Sequence, residues 1–277
     1  MAAPLRFSKM HGIGNHFVVV DCRTRPLDLD GEEVRRLGDQ HFGVGFDQLL
    51  TIEPATDASC AFRYGIYNTD GSQARQCGNG VRCVAAWLAR AGVLPAGATR
   101  LQSPSGPVAV ELLPSGDVRV NMGVPHFAPE AIPLHAEAEA SIYRIDVVGR
   151  EVELGAVSMG NPHAVITVHD IQAAPVGMLG PQVEMHPDFP DRCNVGFAEI
   201  VAPDRINLRV WERGVGETLA CGSGACAAMV VLRRRGFVGD RVAVALPGGV
   251  LQIAWAGDGE VWMTGPAQFV FEGEWAR

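Results

Sequence analysis

The sequence predicts an α/β (α+β) fold made of two sibling halves, in each of which strands predominate and one apolar helix is buried inside its own sheet. Three observations carry this. The tetrads Cys77-Gly78-Asn79-Gly80 and Cys221-Gly222-Ser223-Gly224 each open an apolar run that closes at a glycine, Gly92 or Gly236, fifteen residues after its cysteine. Gly14-Asn15-His16 and Gly160-Asn161-Pro162-His163 each precede a further apolar run, and Asn15 stands thirty-three residues before Gln48 as Asn161 does before Asn194. After a slip of two residues the register resumes, with Asn68 nine before Cys77 and Glu212 nine before Cys221. A period of about 145 residues is too long for a solenoid repeat and suits a duplicated domain.

Taken in order, short or alternating apolar runs at 5–9, 17–21, 48–52, 108–112 and 118–122, separated by Gly, Pro and Asp, read as strands of the first half. Their counterparts fall at 151–156, 164–168, 196–201 and 206–211. Asp30 is placed to cap a charged helix over 31–40, which has a looser partner over 176–185. The two apolar helices are expected over 79–90 and 223–235. The Pro-, Ala- and Glu-rich stretch 125–139 reads as a linker. The halves are expected at 1–122 together with 266–277, carrying Cys77, and at 123–265, carrying Cys221.

Composition narrows the function. With 277 residues, 47% apolar and a net charge of −8, the chain has length for sizeable cores, and its charge argues against nucleic acid as a partner. Residues 1–10 lack an apolar signal core and no apolar run is long enough to cross a bilayer, so a cytoplasmic, membrane-free protein is expected.

Seven cysteines without an export signal point to reduced thiols. Cys22, Cys60, Cys83 and Cys226 read as buried small hydrophobes, and Cys193 stands beside Asn194. The tetrads lack zinc-ligand spacing, so no metal is expected. Lys9 is the single lysine among 23 basic residues and has no phosphate loop near it, which argues against pyridoxal phosphate; there is no dinucleotide fingerprint either. The expected chemistry uses side chains alone.

A cysteine just ahead of a helix sits at the positive end of the helix dipole, which is expected to lower its pKa, and the glycines open the same N–H groups to a carboxylate. Two such stations around one carbon suit stereoinversion, one thiolate removing a proton and the opposite thiol delivering one. A general base contributes roughly 10²–10⁴ in rate, so donors on the carboxylate, each about 2.7–4 kcal/mol by removal, must supply much of the rest.

The chain resembles diaminopimelate epimerases over essentially its whole length. The resemblance rests on the stretch from Phe7 to Asn15 (FSKMHGIGN), on Gly45-Phe46-Asp47-Gln48, and on Asn68-Thr69-Asp70-Gly71-Ser72 leading to Gln76-Cys77-Gly78-Asn79-Gly80. In the second half it rests on Ser158-Met159-Gly160-Asn161-Pro162-His163, Glu212-Arg213-Gly214 and the stretch from Ala220 to Cys226. It implies two pseudo-symmetric halves, each a curled, mainly antiparallel sheet around a central helix, with the site in the cleft between them. It implies Cys77 and Cys221 as alternating acid and base in a cofactor-independent interconversion of LL- and meso-2,6-diaminopimelate, a step toward lysine and cell-wall precursors. Gly78, Asn79, Gly222 and Ser223 would cradle the reacting carboxylate, and Glu212 the reacting ammonium. Asn15, Asn68, Asn161, Asn194 and Arg213, with Gln48 close by, would read the distal end of the substrate. His163 and Glu212 would adjust the thiol pKa values, and a homodimer is implied. One departure is His16, where the family usually has Asp.

Two other readings stand beside this one. A proline or hydroxyproline racemase of the same scaffold would have no second zwitterion for Arg213 and the asparagines to bind. A redox-sensing thiol pair would have no need of four cradle glycines.

Overall fold

A computed structural model of the protein describes residues 4–74, 77–95 and 97–276; Gln76 of the first tetrad motif and the extreme ends of the expected halves lie outside these. The chain divides into two compact units, Met1–Asn121 with Thr264–Arg277, and Met122–Met263. The divisions thus fall at 121/122 and 263/264, against the expected 122/123 and 265/266.

In the first unit, β1 (Leu5–Gly12) and β2 (Asn15–Asp21) form an antiparallel hairpin closed by Ile13 and Gly14. Both turn residues have positive φ, 48° and 92°, the mirror-image turn whose twist matches a two-residue hairpin. Gly14 adopts it freely; β-branched Ile13 bears roughly 1–2 kcal/mol of strain and is offset by burial of its side chain. Helix α1 (Gly31–Gly38) begins with a capping box: the Asp30 carboxylate accepts from the N–H groups of Glu32 and Glu33, and Glu33 accepts from Asp30 N–H. It ends earlier than expected because Asp39 turns extended and its carboxylate accepts from the N–H groups of His41 and Phe42.

The unit continues through β3 (Gln48–Pro54), β4 (Phe62–Asn68), α2 (Gly78–Arg90), β5 (Ala98–Ser103), β6 (Gly106–Leu112) and β7 (Val118–Asn121). β2 pairs parallel with β3 and β4 with β5; β3 with β4, β5 with β6 and β6 with β7 pair antiparallel. The last strand of the chain, β17 (Gln268–Trp275), lies antiparallel on the free side of β1. α2 packs on β1, β2, β3, β6 and β7, strands from both ends of that order, so the sheet curls around it. Val81, Cys83, Val84, Ala85 and Leu88 are buried as expected for an enclosed helix.

The second unit contains β8 (Tyr143–Val147), β9 (Arg150–Ser158), β10 (Pro162–Val168), α3 (Val176–Glu184), β11 (Asn194–Ala202), β12 (Arg205–Glu212), β13 (Gly216–Thr218), α4 (Gly222–Arg234), β14 (Arg241–Leu246) and β15 (Gly249–Ala254); β16 (Trp262–Gly265) carries the chain across the boundary. Its pairings repeat those of the first: β9–β10 antiparallel, β10–β11 parallel, β11–β12 antiparallel, β12–β14 parallel and β14–β15 antiparallel. β8 adds to β9 as β17 adds to β1, and α4 packs on β9, β10, β11, β12, β14 and β15. The stretch 125–139 is not a free linker. It turns through a short 3-10 segment, Pro129–Ala131, and sinks Ile132 and Leu134 into the second unit's core. Among the described residues no helix is long and apolar enough to cross a membrane.

Candidate active site

Cys77 is the N-cap of α2, in extended backbone, and its sulfur accepts from Gly80 N–H at 3.4 Å. Gly78 opens the helix. The site then grows from the β1–β2 hairpin: Asn15 Oδ1 lies 3.7 Å from the Cys77 sulfur, accepting its S–H, and accepts from Asn79 Nδ2 at 3.2 Å. Asn79, 3% exposed, is gripped from below, its Oδ1 accepting from Arg82 Nη1 at 2.9 Å. Arg82 is fully buried among the apolar side chains of α2 and also donates to the Pro266 carbonyl. Gly12 makes room for it, since a Cβ there would meet Arg82 Nη2 at 2.8 Å.

Asn15 is itself held by a residue to which sequence reasoning gave no role. Its Nδ2 donates to Asp47 Oδ2 at 2.7 Å, and the same oxygen accepts from His16 N–H at 2.8 Å. Gln48 and Asn68 form a second pair, facing each other in the β3–β4 register with Gln48 Nε2 donating to Asn68 Oδ1 at 3.1 Å. Asn68 Nδ2 in turn donates to Ser72 Oγ.

In the second unit Cys221 is the N-cap of α4 in the same extended conformation, with Gly222 opening the helix and Ser223 Oγ 3.7 Å from its sulfur. His163 and Asn194 are register partners on the parallel β10–β11 pair. His163 Nε2 meets Asn161 Oδ1 at 3.0 Å, while Asn194 donates to the Pro162 carbonyl and accepts from Arg213 N–H at 3.0 Å. Arg213 is exposed and spends Nη1 on the Asp191 carbonyl. Thr218 Oγ1 donates to Glu212. Buried Glu184, unnoticed in the sequence because its partners are distant, fixes this corner by accepting from Trp211 Nε1 at 2.7 Å and from Gly214 N–H at 2.8 Å. In the first unit Asn15 and Asn79 stand at the Cys77 helix start, and in the second Ser223 and the Glu212 charge act on Cys221, while Gln48 with Asn68, and His163 with Asn161, Asn194 and Arg213, form groups of their own.

The electrostatics correct one expectation. The helix start does not lower the Cys221 pKa: burial, reinforced by the Glu212 carboxylate, pushes the thiol well up, and the Gly224 N–H and the Ser223 hydroxyl only partly oppose this. Cys221 is 4% exposed, and a buried sulfur cannot use the solvation on which a low pKa partly depends. His163 moves the other way. Burial first, then the Arg213 charge, lower it to about 3, so it is a neutral imidazole that donates from Nε2 to Asn161. Of the remaining cysteines, Cys22, Cys60, Cys83, Cys193 and Cys226 are all buried, and burial raises Cys22 and Cys83 to about 12.

Comparison with known proteins gives a consistent answer. Residues 7–128 and 155–270 match the family described as diaminopimelate epimerase. The diaminopimelate epimerase of Alkalilimnicola ehrlichii is 52% identical, covering 98% of both chains, and that of Xanthomonas axonopodis pv. citri is 54% identical, covering 99% of this chain and 97% of its own. Among solved structures, a hydroxyproline epimerase from Agrobacterium vitis aligns with a TM-score of 0.71 at 16% identity, over 99% of this chain and 92% of its own. A PhzF-family phenazine biosynthesis protein from Bacillus anthracis aligns over the whole of both chains with a TM-score of 0.70 at 14% identity. These two share the fold alone. With about half of its residues identical to full-length relatives and both tetrads inside the matched segments, the chain belongs to the diaminopimelate epimerase family, a family of isomerases.

Proposed function

We propose that the protein interconverts LL- and meso-2,6-diaminopimelate by proton exchange between Cys77 and Cys221, without a cofactor, in the supply of lysine and cell-wall precursors. The observation that carries this reading is the repetition of one station, an N-cap cysteine followed by a Gly-x-Gly helix start, at the same place in two units of matching strand order. Membership of the family supports the substrate. Lys9 supports the absence of a Schiff base: the only lysine donates to His16 Nδ1 and to the Gly45 carbonyl.

In this mechanism the less buried Cys77 sulfur first gives the S–H proton that it shares with Asn15 Oδ1 to solvent and then, as thiolate, takes the α-proton, while the raised pKa keeps Cys221 a thiol ready to donate. The Cα–H bond breaks as S–H forms on Cys77. The S–H bond of Cys221 then breaks as Cα–H forms on the opposite face. The enzyme is left with the two protonation states exchanged, which equips it for the reverse reaction. Gly78, Asn79, Gly222 and Ser223 hold the reacting carboxylate where negative charge builds, and Glu212 holds the ammonium. Asn15, Gln48, Asn68, Asn161, Asn194 and Arg213 read the distal amino-acid group, and neutral His163 holds the Asn161 amide by donating to its Oδ1. We further propose a cytoplasmic homodimer, a reading supported by family membership and by Val270 and Phe271 exposed on β17.

Incubation in D2O with diaminopimelate, proline or lysine tests the assignment. The expected result is α-deuterium in inverted diaminopimelate only, lost by a factor of at least about 10² in Cys77→Ser and in Cys221→Ser. Faster exchange into proline or lysine than into diaminopimelate would overturn the substrate, and a single serine variant retaining a tenth of wild-type turnover would overturn the two-thiol mechanism.

A further inference from the structure

The β1–β2 hairpin and the segment ahead of β3 bring together three side chains to which sequence reasoning gave no role, Lys9, His16 and Asp47. His16 sits half-buried between the ammonium of Lys9, which donates to Nδ1 at 2.9 Å, and Asp47, whose Oδ1 lies 3.4 Å from Nε2. With Lys9 donating to Nδ1, that nitrogen must be the acceptor, so the ring is neutral and its N–H is Nε2, aimed at Asp47. The second oxygen of Asp47 accepts from Asn15 Nδ2 and from His16 N–H. An acceptor-only carboxylate on one side of an amide selects its orientation. Because Asp47 takes the Asn15 NH₂, the Asn15 carbonyl must face the Cys77 sulfur and Asn79 Nδ2, as it does at 3.7 and 3.2 Å.

We propose that His16 and Asp47 are positioning residues for the thiol station at Cys77: the neutral His16 ring fixes Asp47, Asp47 fixes the flip of the Asn15 amide, and protonation of His16 displaces the Lys9 ammonium and draws Asp47 toward the imidazolium and away from Asn15. The proposal rests on the reading of Asn15 and Cys77 as parts of the active site. Protonated at both nitrogens, His16 would present a donor and a positive charge to the Lys9 ammonium, so one of the two must leave. The charged or titratable groups that surround the ring are Lys9 and His11 from β1 and Asp47 from the segment ahead of β3. Burial lowers the His16 pKa below its ordinary 6.5, Asp47 raises it, and Lys9 and His11 lower it further, so the neutral form prevails at neutral pH and the rearrangement lies on the acid side.

The test has a substrate-free arm and a kinetic arm. In isotopically labelled protein, the Asn15 side-chain amide resonance is followed from pH 8 to 5 beside the His16 ring protons. We expect the two to titrate with one midpoint, the Asn15 shift to vanish in His16→Gln, and the midpoint to rise in Lys9→Met, which removes the neighbouring ammonium. An Asn15 amide that stays unmoved while His16 titrates, or that titrates unchanged in His16→Gln, overturns the proposal. In the kinetic arm, kcat/KM for diaminopimelate should carry an acid limb at the same midpoint that His16→Gln lacks, and Asp47→Ala should lose at least tenfold in kcat/KM with partial rescue by Asp47→Glu. Identical wild-type and His16→Gln pH profiles in an active enzyme also overturn it. If Asn15 follows His16 but the protein epimerises nothing, the positioning cluster stands and the functional reading falls.

Discussion

Burial and the Glu212 carboxylate hold Cys221 as a thiol, while Cys77 is more open to solvent, so the two cysteines should differ in reactivity although their motifs look alike. Iodoacetamide near pH 8, followed by peptide mass spectrometry, should alkylate Cys77 at least about tenfold faster than Cys221, since the thiolate is the reactive form. Equal rates would remove the asymmetry on which the division of roles rests. The buried titratable groups also shape stability against pH. His163, lowered from 6.5 to about 3, contributes stability that is complete above about pH 6.5 and is lost as pH falls toward 3, because the unfolded chain takes up the proton first. Cys22 and Cys83, raised to about 12, contribute stability that is complete below about pH 9 and is lost as pH rises toward 12. Urea unfolding across pH should therefore show both flanks, the acid one reduced in His163→Gln; an unaltered acid flank would mean that His163 is accessible to protons in the folded state. At this scale the sequence revealed the residues that recur at matched spacings, such as Asn15 and Asn161. Asp47 and Glu184 stayed hidden because they matter through partners far away in sequence, Asp47 to Asn15 and Glu184 to Trp211 and Gly214, and no spacing rule records such contacts.

Helix α4 shows why the glycines of the tetrads are a packing requirement as well as an opening for ligand. A Cβ on Gly224 would stand 3.1 Å from the Cys221 sulfur and 3.1 Å from Val210 Cγ2, too close for either neighbour to stay in place. Gly224→Ala would gain up to about 1 kcal/mol in helix propensity. We expect a folded protein whose turnover falls more than tenfold because the sulfur is displaced; circular dichroism and the D2O assay separate the two effects, and wild-type turnover would show that the sulfur tolerates the shift. At the other kind of helix start, Asp30→Ala removes a capping box and should cost about 1 kcal/mol in urea unfolding while leaving turnover unchanged. The two apolar helices were legible because an unbroken apolar run between Cys and Gly has a clear beginning and end. β4, β5, β8 and β13 through β17 went unread for physical reasons visible in their residues. β4, Phe62–Asn68, is interrupted by Gly65, which is required because a Cβ there would meet Thr51 Oγ1 at 2.6 Å, and β13 is only three residues long.

The two units are built differently from the chain. Met122–Met263 is one unbroken stretch, whereas the first unit is assembled from both sides of it, with β17 paired to β1 from Leu5 to His11. The duplication was readable because it repeats polar stations at fixed intervals, but the return of the chain to the first unit leaves no periodic trace and only the strand pairing exposes it. A chain ending at residue 265 should keep the second unit protected in brief proteolysis while first-unit peptides are released, since β1 would lose its outer partner and gain an open edge. Equal protection of both would show that β17 contributes little. Synthesis proceeds from the N-terminus, so on the ribosome the unit begun first is the one finished last. Its sheet waits for β17 until the whole second unit has been translated. A product that stops short of β17 can therefore contain Cys77 and all of its immediate neighbours in sequence and still lack the strand that completes their scaffold, so translation through β17 is the closing step in building the first unit.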